Sequence, residues 1–110
     1  MKIFANIDDL RHERANSGRP YLEFLRVPAM SCGLYVLAAG AEDKQQPHRE
    51  DEVYYVVAGS ARMKVHAEGQ EEDRKVNAGD IIFVRAGEEH RFHSITSELT
   101  VLVFFAPAES

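Results

Sequence analysis

From residue 21 onward the apolar positions fall in short runs, broken by turn residues roughly every eight to twelve positions, the pattern of an all-β sandwich or barrel. The predicted strands are Tyr21–Val27, Cys32–Ala39, Glu52–Ala58, Ala61–Ala67, Arg74–Val76, Ile81–Val84, His90–Ile95 and Leu99–Ala106. Pro28, Gly40 to Pro47, Gly59-Ser60, Glu68-Gly69, residues 77–80, Ala86-Gly87 and Thr96-Ser97-Glu98 separate them. In Ala61–Ala67, Met63 and Val65 face one way and Arg62, Lys64 and His66 the other, which marks a strand wet on one side. Leu99–Phe105 is apolar on both faces, which predicts a strand between two layers or beneath a partner chain. Before residue 21 the pattern supports only a short helix after Asn6, with Asp8 and Asp9 near its N-terminus and residues 16–20 as the loop that ends it. The chain therefore divides into an N-terminal arm, residues 1–20, and one β-barrel domain, residues 21–110.

Charge narrows the partners. The 110 residues carry 18 acidic against 13 basic side chains, a net −5. That balance argues against nucleic acid, whose binding runs on a positive field, and against a polybasic membrane surface. Cys32 is the one cysteine, so neither an internal disulfide nor an all-cysteine zinc site is expected, and a reducing cytoplasm is the default compartment. The first residues lack the apolar stretch of a signal peptide, and no apolar run approaches the length of a membrane span.

The candidate chemistry sits in two segments. On extended backbone Gln46, His48, Glu50 and Glu52 share one face, and Pro47 keeps Gln46 out of the helical region. A second segment, Gly87 to His93, places His90 at the mouth of a strand. Two imidazoles and a carboxylate delivered from two strands suit a divalent first-row metal.

These residues carry a resemblance to the cupin superfamily, in its small single-domain form. Gly40, Gln46, His48, Glu52 and Gly59 stand at the spacing of the first cupin motif, and Gly79, Arg85, Gly87, His90 and Ser94 at that of the second. Arg85, Ser94 and Gln46 depart from the motif residues, the last replacing a histidine, an arrangement similar to that of the cupin-fold phosphomannose isomerases. The resemblance implies a double-stranded β-helix, or jelly-roll, barrel and a homodimer, with the apolar faces of Tyr21–Val27 and Leu99–Phe105 available to a partner. It implies a metal held by Gln46, His48, Glu52 and His90, with iron, zinc, manganese or nickel as candidates. Without Gln46, the remaining two histidines and one carboxylate suit non-haem Fe(II) oxygen chemistry.

Glu52 is the expected ligand of its acidic run, with Glu50 and Asp51 on a solvated face; His12, His66 and His93 are read as surface or packing residues. Parity predicts that Tyr54, Met63, Phe92 and Phe104 line the cavity, Phe104 if the even positions of the last strand turn inward, and Arg85 stands near the rim. Tyr54 carries a hydroxyl able to move a proton, making it the catalytic candidate. The expected function is a metal-dependent, dioxygenase-like oxidoreductase acting on a small molecule. A sugar isomerase or epimerase and a non-catalytic sensor module are the alternatives.

Overall fold

The computed structural model describes residues 3–110. Helix α1 (Ile7–Ser17) precedes strands β1 (Tyr21–Val27), β2 (Met30–Leu37), β3 (Asp51–Ala67), β4 (Gln70–Asn77), β5 (Ile81–Val84) and β6 (His90–Ala106). Every pairing is antiparallel, in the order β1-β2-β6-β3-β4, and β5 pairs with β3. No helix among the described residues is long and apolar enough to cross a membrane.

The longest strands correct the sequence reading. Gly59-Ser60 and Thr96-Ser97-Glu98 do not end strands; Ser60 pairs with Ser97, and the two breakers form one bend in which β3 and β6 stay together. The register slips three times between Val56 and Arg62. Before the bend β3 pairs with β5, and after it with β4, so one continuous strand passes from one layer to the other. Gly59 makes the bend possible. Its φ is +95°, and a Cβ there would overlap the Glu98 carbonyl oxygen.

Inside the barrel, Leu37, Val56, Ala61, Met63, Val84, Phe92, Leu99, Val101 and Phe105 form the main core. A smaller cluster lies outside it, where Leu10 of α1 packs with Leu34 and Val36, flanked by Ile7, Leu22, Phe24 and Leu102. The helix begins where Asn6 accepts a hydrogen bond from the Asp8 amide at 2.9 Å. The helix packs on β1 and β2, and from the outer face of β6 Leu102 packs against the same cluster. From Leu99 to Phe105, after the bend, the odd positions of β6 face the barrel core, so Leu102 and Phe104 face outward and Phe104 does not line the cavity. A strand apolar on both faces carries no parity signal, which is why the sequence could not choose.

Candidate metal centre

Alternation at the start of β3 turns Glu52 and Tyr54 inward, 1% and 0% exposed, and leaves Asp51 outside. His90 opens β6 and is also buried. His48 comes from the loop before β3, and the Gly87 amide donates to its carbonyl at 2.6 Å, so the loops of the two histidine segments are tied backbone to backbone. Gly87 meets that carbonyl at φ +81°. The result is a cluster of His48, Glu52 and His90 whose ligand atoms lie within 4.8 Å of one another.

Neighbouring groups fix how each side chain presents itself. His90 Nδ1 lies 2.9 Å from the Glu88 carbonyl, which only accepts, so Nδ1 carries the proton and Nε2 faces the cluster. His48 Nδ1 lies 3.3 Å from Glu109 Oε2, with the same consequence. Asp43, 6% exposed, accepts from the Gln45 side-chain amide, the Phe92 backbone amide and the Tyr35 hydroxyl, each at 2.8 Å. That fixes the Gln45 amide with Oε1 toward the centre, 3.3 Å from His48 Nε2 and accepting from the Tyr54 hydroxyl at 2.7 Å.

Four acceptor groups, His48 Nε2, His90 Nε2, Gln45 Oε1 and the Glu52 carboxylate, therefore converge on a region with one donor, the Tyr54 hydroxyl, which lies 2.7 Å from Gln45 Oε1 and 3.1 Å from His90 Nε2 and has one proton for the two. Glu52 Oε1 approaches His90 Nε2 to 3.1 Å without hydrogen-bond geometry, and both carboxylate oxygens are buried with no hydrogen-bond partner. An unpaired buried carboxylate is costly, and lone pairs crowded together repel unless a cation lies between them. The residues present therefore fit a divalent metal. In its absence a proton does part of the same work: burial pulls the His90 imidazole down, but the Glu52 carboxylate and Glu88 carbonyl outweigh it and hold it above its ordinary range. Burial foremost, then the Glu52 charge, pushes Tyr54 well above the usual phenol range, so its hydroxyl stays protonated.

The other predicted residues fall in several places. Gln46 is exposed, and its neighbour Gln45 reaches the centre. Residues 41–48 belong to no strand, so the alternation that selected Gln46 does not hold there. Phe92 is buried beneath Tyr54, edge to face at 5.1 Å, and supports that ring from within the core. Met63 is also core, bordering a groove between β4 and β5 rather than the histidines. Glu50 is buried and accepts from the Ser110 amide at 3.1 Å, which corrects its placement on a solvated face. Arg85 pairs with Glu68 at 3.2 Å, away from the centre. His93 pairs with Asp73 at 2.9 Å, and His66 and His12 are exposed.

Asp43, Gln45 and Glu109 are the residues that sequence reasoning missed. Asp43→Ala is expected to lower stability by about 2 kcal/mol and to weaken metal binding about tenfold, because the Gln45 amide loses the acceptor that orients it. Urea unfolding with chelator present and a metal titration check the two effects separately; an unchanged metal affinity would mean Gln45 keeps its orientation without Asp43.

A cavity of about 270 Å³ opens beside His48 between β1, β2 and β6. A more polar groove of about 210 Å³ reaches His90 from the other side. A larger groove, about 470 Å³, lies between β4 and β5 and touches none of the three cluster residues.

A family model described as the cupin domain matches residues 33–106, and the chain belongs to that family. It is 47% identical, over the full 110 residues of both chains, to an uncharacterised protein of Streptomyces coelicolor. Among solved structures it is similar to KdgF from a Halomonas species, with a TM-score of 0.68 and 22% identity over 79% of this chain and 76% of that one. The oxalate decarboxylase of Lactobacillus farciminis, solved as a formate complex, gives a TM-score of 0.68 and 27% identity over 74% of this chain but 24% of its own. The cupin jelly-roll barrel is thus the fold, and His48, Glu52 and His90 are its candidate metal site.

Proposed function

We propose that the chain is a mononuclear metal enzyme, a dioxygenase-like oxidoreductase acting on a small organic molecule. The supporting observation is the convergence of His48, His90, Gln45 and the orphaned Glu52 carboxylate on one point beside a mostly apolar cavity. Two histidines and one carboxylate are the donor set of non-haem Fe(II) oxygenases, and an ion held there supplies oxygen activation. The chain's own residues supply the rest. Glu88 and Glu109 hold the two imidazoles in register, Asp43 and Tyr54 hold Gln45, and Val103 and Phe105 give the cavity an apolar wall.

One observation favours a non-oxidative alternative. Gln45 Oε1 makes a fourth donor, and a set of two nitrogens and two oxygens equally suits zinc or manganese acting as a Lewis acid in a lyase or isomerase. Elemental analysis of protein purified without chelator separates them: iron supports the oxidoreductase, zinc or manganese the alternative, and a metal-free chain that takes up no added ion defeats both. Gln45→Ala is expected to weaken binding of the ion about tenfold, while Gln46→Ala and Gln46→His leave it unchanged.

A further inference from the structure

The large hydrophobic side chains left exposed among the described residues gather on one side of the barrel. Tyr55 belongs to β3, Ile81 and Phe83 to β5 and Met30 to β2, while Ile3 and Phe4 lead into α1. Strand register explains the grouping. Phe83, Val53, Phe104, Cys32 and Leu25 stand opposite one another across β5, β3, β6, β2 and β1, forming one row on one face of the sheet. Ile81, Tyr55 and Leu102 begin a second row, which continues under α1 to Leu34 and Leu22. Tyr54, Val84 and Val103 point into the barrel core from the same strands, so both rows face outward, and neither contains a charged residue.

Helix α1 covers only one end of this face, where Leu10 packs with Leu34. At the other end Ile81 and Phe83 remain 71% and 56% exposed. The two long strands carry their own comparison. Before the bend β3 turns Val53 and Tyr55 outward, and after it Arg62, Lys64 and His66. Strand β6 turns out Arg91 and His93 first, then Leu102 and Phe104. One layer thus has the charged outer surface of a sheet that faces water, and the other does not. A contiguous apolar face of this kind marks a surface that another molecule covers.

The rows hold no charge with which to select a foreign protein, and a net charge of −5 works against an anionic lipid surface. The chain itself supplies the matching face. About a two-fold axis, uncharged rows meet uncharged rows at a sheet separation of about 10 Å. The extent agrees. At about 200 Å² for a large side chain, the six exposed hydrophobics present roughly 800 Å², about what one partner brings to a stable interface. We propose that the outer face of β5, β3 and β6 is the interface of a homodimer, in which Tyr55, Ile81 and Phe83 of one copy pack on the same face of a second. The end over Tyr21–Val27 is taken by α1 within the chain, so the contact centres on β3 and β5.

Analytical ultracentrifugation over a range of protein concentrations tests this, alongside thermal melts. The parent is expected to be a dimer at about 10 μM, with a Tm that rises with concentration. Phe83→Glu and Ile81→Glu, each at a position open in the single chain, are expected to weaken the dimer at least about a hundredfold by placing an unpaired charge in the contact. Circular dichroism shows that both variants fold, and their Tm no longer depends on concentration. Arg91→Glu, on the charged layer, leaves the dimer intact. A parent that stays monomeric throughout the range overturns the proposal. In that monomer, nuclear Overhauser contacts between Phe4 and Phe83 would give the face to the chain's own arm, and binding to phosphatidylcholine vesicles that Phe83→Glu abolishes would give it to lipid. A dimer indifferent to both substitutions in folded protein also overturns the proposal, because the contact then lies elsewhere.

Discussion

At about pH 8, Glu52→Gln is expected to stabilise the metal-free chain and to destabilise it relative to the parent when metal is supplied. In the metal-free barrel the parent buries a carboxylate with no hydrogen-bond partner, and an amide of the same shape removes the charge and gives His90 Nε2 a donor. The expected gain is about 1 kcal/mol, a rise in Tm of about 4–8 °C for a domain of this size. With metal present the sign reverses. The parent gains the free energy of binding, about 2.7 kcal/mol at a hundredfold excess over the dissociation constant, while the variant, lacking the only charged ligand, binds at least about a hundredfold more weakly.

The pH matters for a stated reason. The His90 imidazole is raised in the metal-free fold, with burial opposing and Glu52 prevailing. A raised folded value contributes stability below the unfolded value, and that contribution is lost as pH rises through the folded one. In acid, therefore, protonated His90 answers Glu52 and the substitution is unfavourable; in mild alkali the carboxylate is alone and the substitution helps. Thermal melts with chelator at both ends of that range, and with added zinc, read all the signs. A variant less stable than the parent in chelator at the alkaline end would show that Glu52 is a structural partner of His90 and not a ligand awaiting a cation.

Gly59→Ala is expected to have the largest effect on stability, about 4 kcal/mol or more. A Cβ at residue 59 would overlap the Glu98 carbonyl oxygen and come within 2.8 Å of the Leu99 Cα, all of it backbone that cannot rotate away. Gly79 provides the control. It shares the φ of +95° but has nothing within 4 Å of a built Cβ, so Gly79→Ala carries only the backbone strain, about 1–2 kcal/mol. The difference between the two in urea unfolding isolates the collision at the bend. Because a domain of this kind has about 5–15 kcal/mol in total, Gly59→Ala brings the barrel close to unfolding in water. Equal losses for the two substitutions would show that the bend relaxes around a methyl group.

The parts of the site legible in the sequence are those that lie on regular strand or at fixed spacing. Glu52 and Tyr54 share a face because β3 is pleated, and His90 enters at a strand mouth that its flanking turn residues mark. Parity fails where the pleat does. Between residues 41 and 48 there is no pairing to enforce alternation, so Gln45 and not Gln46 turns inward. The remaining partners are joined across the chain. Asp43 holds the amide of Phe92, Glu109 reaches back to His48, and Ser110 donates to Glu50. No local pattern announces such contacts, because each depends on how the barrel closes. The bend at Gly59 was hidden for the opposite reason. Its residues are good turn formers, and only their pairing with Ser97 and its neighbours keeps the strands continuous.

The hydrogen bond from the Gly87 amide to the His48 carbonyl closes a loop of thirty-eight intervening residues. The two histidine segments are brought together through β3, which pairs with β5 at Glu52 and Val84 and with β6 at Val65 and His90. The ligands of an ion are thus assembled only in the closed barrel, so an ion that binds there binds the folded chain in preference to the open one. The supply of metal then adds to the stability of the whole barrel and not only to the contents of its centre.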